Sequence, residues 1–182
     1  MNFLTPVPAR NQLTVEGGPY DFYRVAAQVA GTVGVHEFGL SAHGMQTNGW
    51  RDHTAYDQQK ASFIHGTSVG RWQVRNTLNL SLLNQETGAF VSGHRAYADN
   101  SLRRSNPSPD SYRDAWSMRA ASHWSADGWT VTPYLRRSMM DFLQHFIAGQ
   151  PWEDNSQTSG GVMLTHAWEH DSLRFELGGD AE

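Results

Sequence analysis

Nine histidines are the side chains of this 182-residue chain best suited to holding a metal ion. His166 and His170 lie four positions apart, within and just beyond the segment 161–168. That segment alternates apolar and polar residues as a strand does, and in a strand two side chains four apart share a face about 13 Å from each other. One ion cannot bridge that distance. We therefore predict no metal site.

Serine, histidine and aspartate are abundant, so nucleophilic catalysis is the next chemistry to consider. The chain has no cysteine. Its one match to G-x-S-x-G, "GTSVG" at 66–70, is predicted as a tight hairpin turn between two strands and not as the strand-to-helix turn that presents a catalytic serine. The polar residues are spread along the sequence rather than gathered in a motif. We predict no catalytic site and no cofactor.

Arginines concentrate in the segment 101–114, which also carries two prolines. The forked donors of Arg103 and Arg104 suit a carboxylate-rich or phosphate-bearing ligand. In the alternative interpretation, the prolines stiffen a loop in which arginine and aspartate pair with each other. The loop is long for a compact domain, and such loops are usually functional or disordered.

Three further residues are candidates for contact with a ligand at the rim of this loop. Trp50 and Arg51 belong to the loop-like segment "NGWRD", and Tyr112 directly follows the proline-containing stretch. Trp50 is alternatively an interface anchor. We predict Trp50, Arg51, Arg103, Arg104 and Tyr112 as a ligand-binding rim.

The elements that position these residues show most clearly in "RWQVRNTLNLSLLNQET", residues 71–87. Leu78, Leu80 and Leu82 alternate with polar residues, which is the period of a strand. The run is about twice as long as the usual soluble strand of about five or six residues. One face is apolar, and the other carries Arg75 and Asn79. A strand of this kind suits a sheet with an apolar environment on one face and water on the other.

Similar alternation recurs along the chain and predicts about nine strands with no convincing helix. The candidate strands are 12–18, 20–31, 35–46, 55–66, 71–87, 112–124, 129–144, 161–168 and 172–178. Tight Gly-, Asp- and Ser-rich turns are predicted at 31–34, 66–70, 125–128 and 169–172. Longer links at 47–54, 85–111 and 145–158 alternate with them. This alternation predicts an all-β, antiparallel up-and-down meander with turns at one end and loops at the other.

Composition fits a strand-based membrane protein. Mean hydropathy is −0.58, with no apolar run long enough for a transmembrane helix. A barrel strand that crosses a bilayer needs only about 9–11 residues with alternating hydrophobicity. Tryptophans near the strand ends suit interfacial girdles: Trp72, Trp116, Trp124, Trp129 and Trp168. We predict a curved, partial transmembrane β-barrel of about nine strands, with Arg75, Asn79 and Arg119 facing its lumen.

The net charge of −4 argues against nucleic acid as a partner.

Several segments resemble the barrel region of TonB-dependent outer-membrane receptors. They are "GPYDFYRVAAQVAG", "TNGWRDHTAYDQQK", "LNQETGAF", "AYADNSLRRSNPSPDSYRDAWSMR" and "WTVTPYLRRSMMDFLQHFIAGQP". The resemblance covers the chain from about residue 12. It implies a place in the bacterial outer membrane, contact with its lipid, and uptake of a ferric siderophore, cobalamin or a similar scarce nutrient.

The resemblance also implies what this chain lacks. Such receptors have an N-terminal plug inside a 22-stranded barrel, and this sequence shows no plug, no TonB box and no terminal aromatic strand. We therefore expect residues 1–182 to be a barrel fragment that does not transport alone. It would meet the TonB complex only through the missing plug region and would contact a small iron chelate or similar ligand.

Two alternatives stay open at this point. A small soluble ligand-binding β-barrel would point Leu78, Leu80 and Leu82 inward, whereas a membrane barrel points them outward. An outer-membrane barrel enzyme is less favoured. It would place a histidine within hydrogen-bond reach of both an aspartate and a serine in the lumen.

Overall fold

The computed structural model of the protein describes residues 8, 10–144, 148–149, 151–171 and 173–182. Within these residues, nine strands form a single antiparallel sheet in which each strand pairs with its neighbours in chain order. The strands are β1 Gln12–Gly18, β2 Phe22–Val33, β3 His36–Thr47, β4 Tyr56–Val69, β5 Trp72–Glu86, β6 Tyr112–Ala126, β7 Trp129–Leu143, β8 Trp152–His170 and β9 Leu173–Ala181. This confirms the predicted all-β meander. The sheet is not closed, since β1 pairs only with β2 and β9 only with β8.

The two ends of the sheet differ as the sequence predicts. At one end, which we call the turn end, adjacent strands are joined by tight turns whose first residue has a positive φ. The φ values are 61° at Gly34, 59° at Gly70, 49° at Asp127 and 52° at Asp171. Positive φ at this position is common to the I′ and II′ types of two-residue hairpin turn. The longer connections, including 48–55 and 87–111, all lie at the opposite end, which we call the loop end.

Strand β8 begins earlier than predicted. We predicted a strand at 161–168 after a loop at 145–158, but β8 starts at Trp152 and its pairing with β7 runs from there without a gap. The missed part, "EDNSQTSG", is polar at every position except its final glycine. A strand that extends past an apolar belt is wet on both faces, so no alternation of hydrophobicity marks it.

Two short helical segments lie in the long connection at the loop end. A 3-10 turn spans Ala96–Ala98, and helix α1 spans Asn100–Arg104. No helix is predicted here from the sequence, because five residues are too few to show a helical period. Neither segment is long or apolar enough to cross a membrane, and the same holds for every helix among the described residues.

The two faces of the sheet differ in exposure although neither is covered by a second layer within the described chain. On β5, Leu80 is 44% and Leu82 52% exposed, whereas the alternating Asn79 and Ser81 are half-buried. On an uncovered sheet, side chains crowd together only on the concave side of a curve. The sheet is therefore curved, with its polar face concave and its apolar face convex.

Few apolar side chains are buried in this arrangement. Among the described residues, the buried apolar side chains are Ile64, Val74, Ala89, Ala96 and Phe142. Two of them, Ala89 and Ala96, lie in the long loop rather than in the sheet. The strands are therefore held mainly by their hydrogen-bond ladders and not by a packed core.

Pro133 interrupts one of these ladders without shifting it. The pairing of β6 with β7 skips Thr132 and Pro133, yet Ala121 opposite Tyr134 and Trp124 opposite Val131 keep one register on both sides of the gap. Proline has no N–H to donate, so the gap falls where its nitrogen would face β6.

Gly161 on β8 makes room for an aromatic ring, and we expect its replacement to be costly. A Cβ there would meet the Tyr134 hydroxyl at 2.8 Å and would collide with the backbone oxygen of Ala181. Overpacking of this kind usually costs about 1–3 kcal/mol. Gly161→Ala should therefore lower the free energy of unfolding in micelles, as measured by denaturant titration. At Gly179 nothing lies within 4 Å, so Gly179→Ala is the matched control, and equal losses in both variants would contradict the prediction.

Candidate functional site

The concave face carries the residues predicted to line a lumen. In register across the sheet, Asn79 of β5 lies opposite Arg119 of β6. The Ser62 hydroxyl donates to Asn79 Oδ1 at 2.7 Å. Arg75 lies on the same face, opposite His123. The structure thus places Arg75, Asn79 and Arg119 together on one polar surface.

The middle of the concave face is basic. Arg119 lies directly opposite Arg136 of β7, and like charges in that position destabilise a sheet unless something compensates. Arg136 donates to Glu182 Oε1 at 2.5 Å and to the Ser159 hydroxyl at 2.5 Å. The Tyr134 hydroxyl donates to the other oxygen of Glu182 at 3.0 Å. One guanidinium is thereby neutralised, while Arg119 is exposed.

A groove of about 550 Å³ lies one row closer to the loop end. Serines from three neighbouring strands, Ser81, Ser117 and Ser138, stand in register along its floor. Lys60 and Gln157 lie beside them on the flanking strands. Hydroxyl, amide and ammonium groups in one row can donate hydrogen bonds to a polar ligand or to a polar polypeptide surface.

The long loop at 87–111 is fastened to the neighbouring loop by Arg51. The Arg51 guanidinium donates to the Ser105 carbonyl from Nε at 3.2 Å and from Nη2 at 2.6 Å. Nη2 also donates to the Ala89 carbonyl at 2.8 Å. One side chain thus joins both halves of the loop, and these two donors of Arg51 are directed at the protein itself.

Asn106 is the second fastening point. Its amide nitrogen donates to the carbonyls of His53 at 2.8 Å and Thr87 at 3.2 Å. Its oxygen accepts from the backbone N–H groups of Ala89 at 3.2 Å and Ser108 at 3.0 Å. These bonds give the loop a folded interior.

The outer surface of the same loops exposes large side chains. Phe90 is 84% and Tyr97 76% exposed, and Trp50 on the adjacent loop is 52% exposed. Arg103 and Arg104 are exposed in the last turn of α1. Aromatic and guanidinium groups held on a fixed backbone can bind a ligand or partner at little entropic cost.

Tyr112 lies elsewhere. It is on the convex face at the loop end, opposite Glu86, and its hydroxyl donates to Asp141 Oδ1 at 3.2 Å. The Trp152 indole N–H also donates to Asp141. The structure therefore separates Tyr112 from the exposed loop residues and places it with Trp152, as an interfacial aromatic pair would be placed.

Asp99 caps α1, and this cap gives the loop a dependence on pH. Its Oδ1 accepts from the backbone N–H groups of Ser101 at 2.9 Å and Leu102 at 3.2 Å and from the Ser101 hydroxyl at 2.7 Å. These bonds, led by the hydroxyl, lower the pKa of Asp99 below its usual value.

We therefore expect α1 to be most stable above about pH 4, the ordinary range of an unfolded aspartate. Because the folded pKa is the lower one, the stabilisation is lost as the pH falls through it. The amide resonances of Ser101 and Leu102 should report this transition, and Asp99→Ala should abolish it. Asp110→Ala, a change at another exposed aspartate of the loop, should leave it in place.

Several of these residues were not singled out by sequence reasoning. The pairing of Arg136 with Glu182 leaves no local pattern in the sequence, because the two residues lie 46 positions apart. Phe90 and Tyr97 occur in a loop without periodicity, where nothing predicts which side chains stay exposed. Asn106 precedes a proline, which was the only hint of a structured turn.

Comparison with known proteins adds similarity at the level of structure. No protein-family model matches the chain, and no curated protein matches it in sequence. FpvA of P. aeruginosa, in a complex with iron and a heterologous pyoverdine, superposes with a TM-score of 0.62 at 14% identity, over 93% of this chain and 26% of that one. The ferric-catecholate import receptor Fiu of E. coli K12, in its closed form, superposes with a TM-score of 0.59 at 12% identity, over 92% of this chain and 30% of that one.

Both of these proteins are TonB-dependent receptors. At these identities the likeness shows the fold alone, an open up-and-down antiparallel sheet like part of the barrels of these two proteins. The chain spans less than a third of the length of either structure.

Proposed function

We propose that the chain forms part of the barrel of an outer-membrane TonB-dependent receptor that takes up a ferric siderophore or a similar scarce nutrient. The shared fold supports this, as do the two similar structures themselves, one an iron–pyoverdine complex and the other a ferric-catecholate import receptor. In this proposal the chain has no catalytic role and does not transport alone. Contact with the TonB complex would run only through a plug region.

The observation that carries the proposal is the direction of the two faces. Leu80, Leu82 and Val29 are about half exposed on the convex side, and the polar row with Asn79 lies on the concave side. A soluble ligand-binding barrel requires the reverse, because its apolar side chains fill the interior. A membrane barrel has an apolar exterior and a polar lumen.

The ligand in this proposal is an iron chelate or similar small molecule that first meets the loop end. We propose Trp50, Arg103 and Arg104 as its contacts, together with the exposed aromatic residues of the long loop. Arg51 would act by holding that loop in place. Tyr112 would act from the convex side, at the edge of the rim. The basic concave face with Arg75, Asn79 and Arg119 would line the lumen.

The absence of cysteine makes the orientation directly testable. Leu80→Cys and Asn79→Cys place a single thiol on either face of the same strand. In lipid vesicles, the proposal predicts that a water-soluble maleimide labels Asn79→Cys and that Leu80→Cys reacts only with a lipid-soluble maleimide. Equal labelling of both by the water-soluble reagent would overturn it.

Ligand contact requires a separate measurement. Binding of a ferric tris-catecholate and of a ferric hydroxamate to the vesicle-embedded chain can be followed by tryptophan fluorescence. We expect the double substitution Arg103→Ala with Arg104→Ala to weaken binding, while Arg174→Ala at the turn end leaves it unchanged. Unaltered affinity in the double variant would remove these arginines from the site.

A further inference from the structure

A hydrogen-bonded chain of side chains crosses the convex face at the turn end. It joins four strands, β3 to β6, on a face whose other side chains there are apolar or uncharged. We call it the turn-end chain, and its members are His36, His65, Asn76, Ser122 and Trp124. All five alternate in register with the residues of the concave face, so they share the side that carries Leu78 and Leu80.

Hydrogen bonds join the five side chains in an unbroken series. The Trp124 indole Nε1 donates to the Ser122 hydroxyl at 2.7 Å, and that hydroxyl donates to Asn76 Oδ1 at 2.6 Å. Asn76 Nδ2 lies 3.2 Å from His65 Nδ1. His65 Nε2 lies 3.0 Å from His36 Nδ1.

The first member sets the direction of every later bond. An indole N–H can only donate, so the Ser122 oxygen accepts from Trp124 and its own proton points onward. The Asn76 atom facing Ser122 must then be the oxygen, and the Asn76 NH₂ group faces His65. His65 Nδ1 is therefore an acceptor, and the ring proton of neutral His65 is on Nε2, where it donates to His36 Nδ1.

We propose that both imidazoles of the turn-end chain are neutral and that the uptake of one proton reverses the direction of its hydrogen bonds. In the reversed state His36 carries protons on both nitrogens, and its Nδ1–H donates to His65 Nε2. The proton of His65 moves to Nδ1 and donates to a flipped Asn76 oxygen. The Asn76 NH₂ group then donates to Ser122, and the added proton is the single net charge on His36.

The surroundings oppose this reversal. On the convex face, the residues flanking the histidines are apolar or uncharged on every neighbouring strand: Val33 and Gly31 on β2, Phe38 on β3, Phe63 and Thr67 on β4, Val74 and Leu78 on β5, and Ala120 on β6. The nearest charged residues in sequence, Glu37 and Arg75, lie on the concave face. Among the residues that the structure describes, a cation at His36 would therefore have no carboxylate beside it, and the Ser122 proton would have to find another acceptor.

This assignment makes the turn end sensitive to acid. While both rings are neutral, the bonds tie β3, β4, β5 and β6 together and satisfy polar groups that a lipid cannot satisfy. Once His36 has taken up a proton, each hydrogen bond between His36 and Ser122 must reverse its direction, or the series of bonds breaks. Contact of this face with lipid rests on the proposed function, but the direction of the bonds does not.

Nitrogen NMR of the full chain in phospholipid micelles tests the proposal, with ¹⁵N-labelled histidine and with His36→Gln and His65→Gln to assign the signals. While both rings are neutral, we expect His65 in the Nε2–H form, and once His36 has taken up a proton on acidification we expect the His65 proton on Nδ1. The assignment is overturned if neutral His65 carries its proton on Nδ1, or if protonation of the pair leaves the His65 proton on Nε2.

Asn76→Asp is the decisive variant because an aspartate of similar size can accept from His65 but cannot donate to it. The bond from Ser122 can persist, while the proton of neutral His65 should move to Nδ1, from which it can donate to the carboxylate. Ser122→Ala removes only the bond that orients Asn76 and should give a mixture of the two His65 forms. An unchanged His65 tautomer in Asn76→Asp would show that Asn76 does not direct the pair, and the proposal would fail.

Discussion

Leu80→Arg is expected to destabilise the lipid-embedded protein by about 2–4 kcal/mol, the cost of an arginine on the lipid face near the bilayer midplane. Leu80 is 44% exposed on the convex face and lies near the middle of β5. Asn79→Arg should cost much less, because the concave face is polar and can solvate the charge. Unfolding titrations of both variants in lipid vesicles measure the difference.

Folding without lipid separates this expectation from the soluble alternative, in which Leu80→Arg would also be damaging. If the purified chain folds as a dispersed monomer in plain buffer, tolerates Asn79→Arg and is unfolded by Leu80→Arg, the membrane assignment is wrong. If it needs detergent or lipid and shows the same asymmetry, the lipid face is identified residue by residue.

Arg51→Ala is expected to release the long loop while leaving the strands folded. The change removes three charge-assisted hydrogen bonds to the carbonyls of Ala89 and Ser105, and Ala89 is buried. Single bonds to charged groups contribute about 1.5–3 kcal/mol, so we expect the local opening free energy of the loop to fall by about 2–4 kcal/mol.

Limited proteolysis with a protease specific for aromatic residues can measure the release, since Phe90 and Tyr97 are exposed cleavage sites. Cleavage should accelerate at least about tenfold in Arg51→Ala, because proteolysis follows the population of the opened loop. Arg104→Ala is the matched control, as only its backbone carbonyl, which accepts from the Asp52 N–H at 2.8 Å, contributes to the loop interior. If both variants are cut at the wild-type rate, Arg51 does not hold the loop.

The sheet was predictable because the alternation of apolar and polar residues within each strand shows which face each side chain occupies. Leu78, Leu80 and Leu82 alternate with polar residues, and this alternation gives both the strand and the side on which each residue lies. The first half of β8 was missed because polar residues on both faces carry no such pattern. Strand ends that are exposed to water on both faces show no alternation of hydrophobicity in the sequence.

The candidate site was less predictable because its contacts join residues distant in sequence. Arg51 meets Ser105 across 54 positions, and His36 meets His65 across 29. Such contacts depend on the register of the strands and the path of the loops, which no local period encodes. The sequence shows that Arg103 and Arg104 are clustered in one loop. It does not show that Arg51 and Asn106 hold that loop in place, because their hydrogen bonds depend on how the two loops pack.

The scarcity of buried apolar side chains has a calorimetric consequence. A globular protein of this length would unfold with a heat-capacity increase of about 2.2–2.7 kcal/mol/K, at roughly 12–15 cal/mol/K per residue. That increase comes from apolar surface that becomes hydrated on unfolding. Here the convex side chains would already contact hydrocarbon in the folded protein and would stay in it if the unfolded chain remained in the micelle. The stability of this sheet should therefore vary with temperature along a much flatter curve than that of a soluble domain of the same size.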